Sequence, residues 1–296
     1  MITLTAGPAS VVLAPEAGGA IVGWTVGAQP ILRPPLAEAL VGGNPRGLGA
    51  FPLVPFSNRI ADGRFAFAGR TWQLARNFGD SPHAIHGVGW QRAWEIVAIG
   101  QSAARLGLRH RPAGEAAAAA WPFAFDAEQR FTLAPDRLTV GMRVVNRHDG
   151  PAPAGLGLHP YFPRTPAATL RFAAAGVWRN SPAMLPAAHG PVPPEWDHRT
   201  PRRVGGAVLD NSFDGWDGRA EIALAPGPVT IAIAAGPIFR HLVVFTPPGA
   251  DFFCVEPVSH LTDALNRPDQ PGTGLVVLAP GAALEGEIVF RLGGVG

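Results

Sequence analysis

Leu138-Thr139-Val140-Gly141-Met142-Arg143-Val144 sets a large apolar side chain at every second position, with Thr139, Gly141 and Arg143 between them. A period of two puts Leu138, Val140, Met142 and Val144 on one face of an extended chain, the pattern of a half-buried strand. The alternation recurs in both directions from there. Phe65 and Phe67 share a face, Ala68-Gly69 turns the chain, and Trp72 and Leu74 alternate again. Ile222 and Leu224 precede a Pro226-Gly227-Pro228 turn, and Val229, Ile231 and Ile233 follow it. Leu284, Ile288, Phe290 and Leu292 repeat the pattern further on. Short alternating runs broken by Gly and Pro read as antiparallel strands. No apolar stripe of period 3.6 is sustained. Ala116–Ala120 has helix propensity, but Gly114 and Pro122 bound a window too short for a stable helix. The prediction is an all-β protein, a large antiparallel β-sandwich. With no linker and no repeat in view, residues 1–296 read as one domain.

Composition narrows the chemistry. The 296 residues are 47% hydrophobic and 16% charged, enough apolar side chain for a large core and too little charge for disorder. No stretch reaches the ~18 consecutive apolar residues of a membrane span. The first residues, MITLTAGPASVVLAPEAGG, lack a basic segment followed by an apolar one, so no signal peptide is expected and a cytoplasmic location follows. Cys254 is the only cysteine, which excludes an internal disulfide and a Cys-rich zinc site. All 24 basic residues are arginine. Without lysine there is no Schiff-base, pyridoxal phosphate, P-loop or protein-kinase chemistry. The net charge is +2 and Arg202-Arg203 is the one adjacent pair of arginines, so no basic stripe offers itself to a nucleic acid.

Two segments depart from ordinary strand sequence. Gly155-Leu156-Gly157-Leu158-His159-Pro160-Tyr161-Phe162 puts a histidine behind two glycines, which mark a close approach of ligand or backbone. Phe252-Phe253-Cys254-Val255-Glu256-Pro257 ends a hydrophobic run on a carboxylate, a residue seldom buried without a partner. His159 and Glu256 each precede a proline, which holds the preceding residue extended and stiff. The plain alternative is that His-Pro and Glu-Pro merely end strands. Asn58-Arg59 and His86-Gly87 follow Pro-containing approaches, so Arg59 and His86 are candidate hydrogen-bond donors at a pocket mouth or simple loop residues. His83 and His86 have H-x-x-H spacing, but a strand or loop does not bring i and i+3 to one face, so no metal site is expected.

Taken in order, Asn58-Arg59-Ile60, Gly63-Arg64-Phe65, Ile85-His86-Gly87, Trp94-Glu95, Gly157-Leu158-His159-Pro160-Tyr161-Phe162, Asp210-Asn211-Ser212-Phe213 and Val255-Glu256-Pro257 resemble the aldose 1-epimerase (galactose mutarotase) family. The resemblance runs from about Ile21 to Phe290. It implies a galactose mutarotase-like super-sandwich, no cofactor, and a small free sugar, hexose or pentose, as the partner of a monomer or homodimer. It implies Glu256 as base and His159 as acid, with Asn58, Arg59, His86, Tyr161, Asp210 and Asp251 on the sugar. The chain departs from the family at Val88, where a second glycine is usual, at Asp251, where a sugar-contacting glutamine aligns, and at Ala152, commonly methionine. A hexose-6-phosphate mutarotase, which needs further arginines such as Arg46 and Arg92, and a non-catalytic sugar binder are the alternatives.

Overall fold

The structure, a computed structural model, describes residues 1–224 and 227–294. Two large antiparallel sheets form the sandwich. The first has 11 strands. Its order is Ile2–Ala6, Ala9–Ala14, Ala20–Val26, Ala50–Leu53, Gly157–Pro163, Phe252–Val258, His241–Phe245, Asp210–Asp214, Gly176–Asn180 and Pro186–Pro191, with Gln29–Pro30 pairing off Ala20–Val26. The second has nine strands, centred on Phe125–Ala134, Arg137–Asn146, Ala283–Gly293 and Thr230–Ala235. The alternation that opened the reading is the central strand Arg137–Asn146, with Leu138, Val140, Met142 and Val144 all in the core.

The sheets meet through their aromatic residues. Phe290 of the second sheet packs against Trp24 and Phe162 of the first, and Phe172 against Phe213, at centroid distances of 6.3, 6.4 and 4.9 Å. Strands Arg64–Phe67 and Arg70–Gln73 form a separate hairpin around Ala68 and Gly69, whose φ values of 52° and 74° are those of a tight two-residue turn. Strands Arg219–Ala223 and Thr230–Ala235 pair as expected, while Pro226 of the turn between them lies outside the described residues.

Two expectations need correction. Glu115–Ala120 is a short α-helix. Its length supplies little stability of its own, and tertiary contacts supply the rest. Ala75 N–H donates to Ala119 C=O at 2.7 Å, and the next residue, Trp121, is buried between Phe56, Phe65 and Phe123. The glycines before His159 do not make room for a ligand. A Cβ at Gly155 meets the His260 ring at 2.1 Å, and one at Gly157 meets Val258 and Leu53 at 2.9 and 3.0 Å. Protein packing occupies both spaces.

Candidate active site

The site lies on the face of the 11-stranded sheet that points away from the sandwich core. Leu158, Val255, Val244, Phe213 and Val177 point into the core between the sheets. Their strand neighbours His159, Glu256, Val243, Ser212 and Trp178 therefore point the other way. Loops cover that outer face, so these strands are buried on both sides.

Register sets the constellation. Gly157 pairs with Val258 and Tyr161 with Cys254, so His159 and Glu256, midway between, stand opposite each other. The row continues through Phe51 beside His159, and through Val243 and Ser212 beside Glu256. The row two residues along is Tyr161, Cys254, Phe245 and Asp210. His159 Nε2 lies 3.4 Å from Glu256 Oε1. Phe51 and Tyr161 pack against the imidazole at 4.6 and 4.8 Å between centroids, and lie 6.1 Å from each other. Tyr161 is itself braced by the buried Arg33 guanidinium, 4.1 Å from its ring.

Asn58, Arg59 and His86 come from the loops above the sheet. Asn58 and His86 both adopt left-handed backbone, at φ 57° and 60°, and face each other. His86 N–H donates to Asn58 C=O at 2.9 Å, and Asn58 N–H donates to His86 Nδ1 at 3.1 Å. Strained backbone of this kind persists only where the surroundings hold it, and it concentrates at functional sites. Because Nδ1 accepts, the neutral His86 ring carries its proton on Nε2 and is a donor. Arg59 Nη1 donates to Asn58 Oδ1 at 3.1 Å, and Arg59 Nη2 lies 3.5 Å from Asp210 Oδ2. These residues, with Arg46, Phe51, Phe78, Ile85 and Phe245, line an open cleft enclosing about 520 Å³.

Electrostatics follows burial. Desolvation among the rings lowers the His159 pKa to about 3, with Arg46 and Arg33 adding to the effect. Desolvation pushes the Glu256 carboxyl well above its usual range, with the Asp210 charge adding and Arg59 opposing. Both shifts favour the neutral forms, the carboxyl protonated and the imidazole unprotonated. Glu256 Oε2 and His159 Nδ1 are buried with no hydrogen-bond partner among the described residues. Burial likewise holds His86 neutral and raises Asp210 against the pull of Arg59.

Seven of the eight expected site residues line this cleft. Asp251 does not. It is exposed just before Phe252–Val258 and one residue out of phase with Cys254 and Glu256, so it falls off their face. The other two departures from the family pattern, Val88 and Ala152, are core residues. His83 is held by Asp62 N–H on Nδ1 and contacts Ala183 C=O through Nε2, so H-x-x-H forms no metal pair with His86. Phe51, Phe78, Ile85 and Phe245 were not expected at the site: Phe51 and Phe245 reach it by register on this face, and Phe78 and Ile85 from the segments above it. A second groove, lined by Arg171, Arg199 and Arg219 on the outer face of the nine-stranded sheet, has Arg171 paired with Glu221 and Arg199 with Asp197, and no histidine in its lining.

Buried histidines make the fold acid-sensitive. His86, His110, His159, His198, His241 and His260 all have lowered pKa values, mainly through desolvation. Below pH ~6.5 the unfolded chain takes up protons at these positions that the folded chain refuses, so stability falls as pH falls. Glu256 and Asp210, with raised values, act in the opposite sense but are fewer. Each excess proton is worth about 1.4 kcal/mol per pH unit. The urea midpoint is expected to drop clearly from pH 7 to pH 5; a flat or rising midpoint contradicts the burial of these rings.

The fold is a large antiparallel sandwich whose cleft sets a buried histidine beside a buried carboxyl among polar and aromatic residues. The chain belongs to the aldose 1-epimerase family, whose profile matches residues 1–291. It is 31% identical over 290 residues to the uncharacterized protein YphB of Escherichia coli K12, covering 94% of this chain and 93% of that one. A crystal structure of a candidate aldose 1-epimerase from Escherichia coli K12 superposes with a TM-score of 0.88 at 31% identity, covering 98% of both chains. The GalM/aldose epimerase homologue of C. elegans shares the fold at a TM-score of 0.83 and 16% identity, covering 100% of this chain and 99% of that one. Among the described residues no helix is long and apolar enough to cross a membrane.

Proposed function

We propose that this protein is an aldose 1-epimerase that interconverts the α and β anomers of a free aldose, hexose or pentose. Residues 1–296 act as a single catalytic domain, working in the cytoplasm. The observation that carries the reading is the contact of 3.4 Å between His159 and Glu256 at the floor of the cleft. Ring opening removes the proton of the C1 hydroxyl, forms the C1 carbonyl, breaks the bond from C1 to the ring oxygen and protonates that oxygen. Glu256 takes the first proton and His159 supplies the second. The open aldehyde turns about C1–C2, and reclosure reverses both transfers on the other face. Each step is a proton transfer with no poor leaving group, so one positioned acid and one positioned base suffice.

The shifts fit this cycle. They favour the proton on Glu256 with His159 neutral, the distribution that follows ring opening. A ring-closed sugar needs the proton on His159, and the His159–Glu256 contact is the path for that exchange. Arg59, Asp210, Asn58 and His86 hold hydroxyls away from C1 while the C1 end turns, an arrangement that preserves the encounter through the open-chain stage.

Arg59→Ala and Asp210→Ala are therefore expected to act mainly through KM, each removing charge-assisted hydrogen bonds typically worth ~1.5–3 kcal/mol. A pure kcat effect in both contradicts an anchoring role. The direct test of the reading is polarimetry of fresh α-D-glucose, α-D-galactose and L-arabinose, each with and without protein; no acceleration for any of them overturns it. Two observations weigh against the alternatives. Arg46 lines the cleft but Arg92 does not, and Arg59 is already paired with Asp210, which leaves little to hold a phosphate. Inorganic phosphate is expected to be a poor competitor. A sugar binder without chemistry has no use for a buried carboxyl facing an imidazole, a pair that is costly to bury.

A further inference from the structure

Cys254 has no part in the chemistry just described, yet it lies beside the histidine–glutamate pair. It is two residues from Glu256 on the same strand, and so on the same face, and it is opposite Tyr161 on the strand that carries His159. A ligand atom from each of His159, Cys254 and Glu256 lies within 4.8 Å of the other two. We propose that these three side chains form a binding site for a borderline-soft divalent cation of the zinc type, and that its occupation shuts the enzyme off.

The donor set favours such an ion. Thiolate, imidazole and carboxylate are the ligands zinc takes at about 2.0–2.3 Å, and a thiolate disfavours magnesium and calcium. Tetrahedral bonds of those lengths place ligand atoms about 3.3–3.8 Å apart. His159 Nε2 and Glu256 Oε1, at 3.4 Å, already meet that spacing, and with the thiol's ligand distances within 4.8 Å about 1.5 Å of travel at most closes the set. Glu256 Oε2 is buried without a partner, an acceptor that a cation satisfies. His159 Nδ1 is also unpartnered, so no hydrogen bond fixes the tautomer and Nε2 is free to present its lone pair. His159 and Glu256 line the cleft, which gives the ion a route in and leaves its fourth position to water or a sugar hydroxyl. Binding displaces the thiol proton of Cys254, and any proton on Glu256, to solvent. The base and the acid are then both metal ligands, and neither can exchange a proton with the sugar.

Cation binding is independent of the proposed reaction; only the inhibition rests on it. The test is a Co²⁺ titration of the whole chain followed by near-ultraviolet absorption, with Zn²⁺ as competitor. Since Cys254 is the only cysteine, a thiolate-to-cobalt charge-transfer band has one possible source. One Co²⁺ per chain with that band, displaced by Zn²⁺, is expected. Cys254→Ala is expected to lose the band, and Glu256→Gln and His159→Asn to weaken Co²⁺ at least tenfold each. Zn²⁺ is expected to suppress mutarotation even at saturating sugar, and Cys254→Ala to keep its basal activity while becoming at least tenfold less sensitive to Zn²⁺. Absence of the band, or unchanged affinity in both the glutamate and the histidine variants, overturns the site. A normal band with full activity at saturating Zn²⁺ keeps the site, overturns its shut-off role and places the reaction elsewhere. Absence of mutarotation in the untreated protein, with a normal band, overturns the proposed function alone.

Discussion

Glu256→Gln is expected to reduce mutarotation to less than a hundredth of the wild-type kcat while sugar affinity stays within about tenfold. The magnitude is that of a general base, which typically contributes about 10²–10⁴. Glutamine preserves the shape of the side chain and cannot take a proton. The fold is expected to tolerate the change well. Burial pushes the native carboxyl up and so favours its protonated, neutral form, which the amide imitates. Loss of activity thus separates from loss of structure, and a thermal melt of the variant at or above the wild-type value is the control. Retention of more than a tenth of wild-type kcat removes Glu256 from the role of base.

His159→Asn is expected to lower kcat and kcat/KM together, again by about 10²–10⁴, because asparagine can donate a hydrogen bond to the ring oxygen but cannot release a proton to it. The pH profile carries the finer test. The active form of the pair bears one proton, so kcat/KM of the wild type is bell-shaped with apparent values that belong to the pair. The acid limb is the arrival of a second proton, opposed by the same desolvation that brings His159 to about 3. The alkaline limb is loss of the only proton, delayed by the burial that raises Glu256. The bell is therefore wide on both sides, extending below the ordinary imidazole value and above the ordinary carboxyl value. In His159→Asn the residual activity is expected to lose the limb that needs a second proton on the pair. If that limb stays in place, another group is the acid. His86 is a poor substitute, since its Nδ1 is committed to Asn58 N–H and burial holds it neutral.

Much of this protein was legible in one dimension. Alternation at 138–144 and around 65, 222, 231 and 288 gave strands; the segment around 65 is a separate hairpin and the others are strands of the nine-stranded sheet. The proline after His159 and the one after Glu256 marked extended, stiffened positions, and both residues do lie in strands. The motif order pointed to the cleft, and seven of the expected residues line it. These features are local. Side-chain period, turn residues and proline geometry act over a few positions, so the sequence states them directly.

What the sequence left open is non-local. Gly157–Pro163 and Phe252–Val258 are buried on both faces, so their runs do not reveal which side faces the core and which the cleft. Register between strands distant in sequence decided that His159 meets Glu256, that Phe51 and Tyr161 pack against the imidazole, and that Cys254 joins the pair. The same register removed Asp251 from the site by a single residue of phase, since one step along a strand reverses the face. Gly155 looked like room for a ligand, and only packing showed that the His260 ring fills it. Local backbone preference is written residue by residue, whereas cross-strand neighbours and the low dielectric they create exist only once distant segments are paired. The sequence by itself therefore determined the strands and the chemical residue types, and the tertiary structure alone decided which of them meet in the cleft.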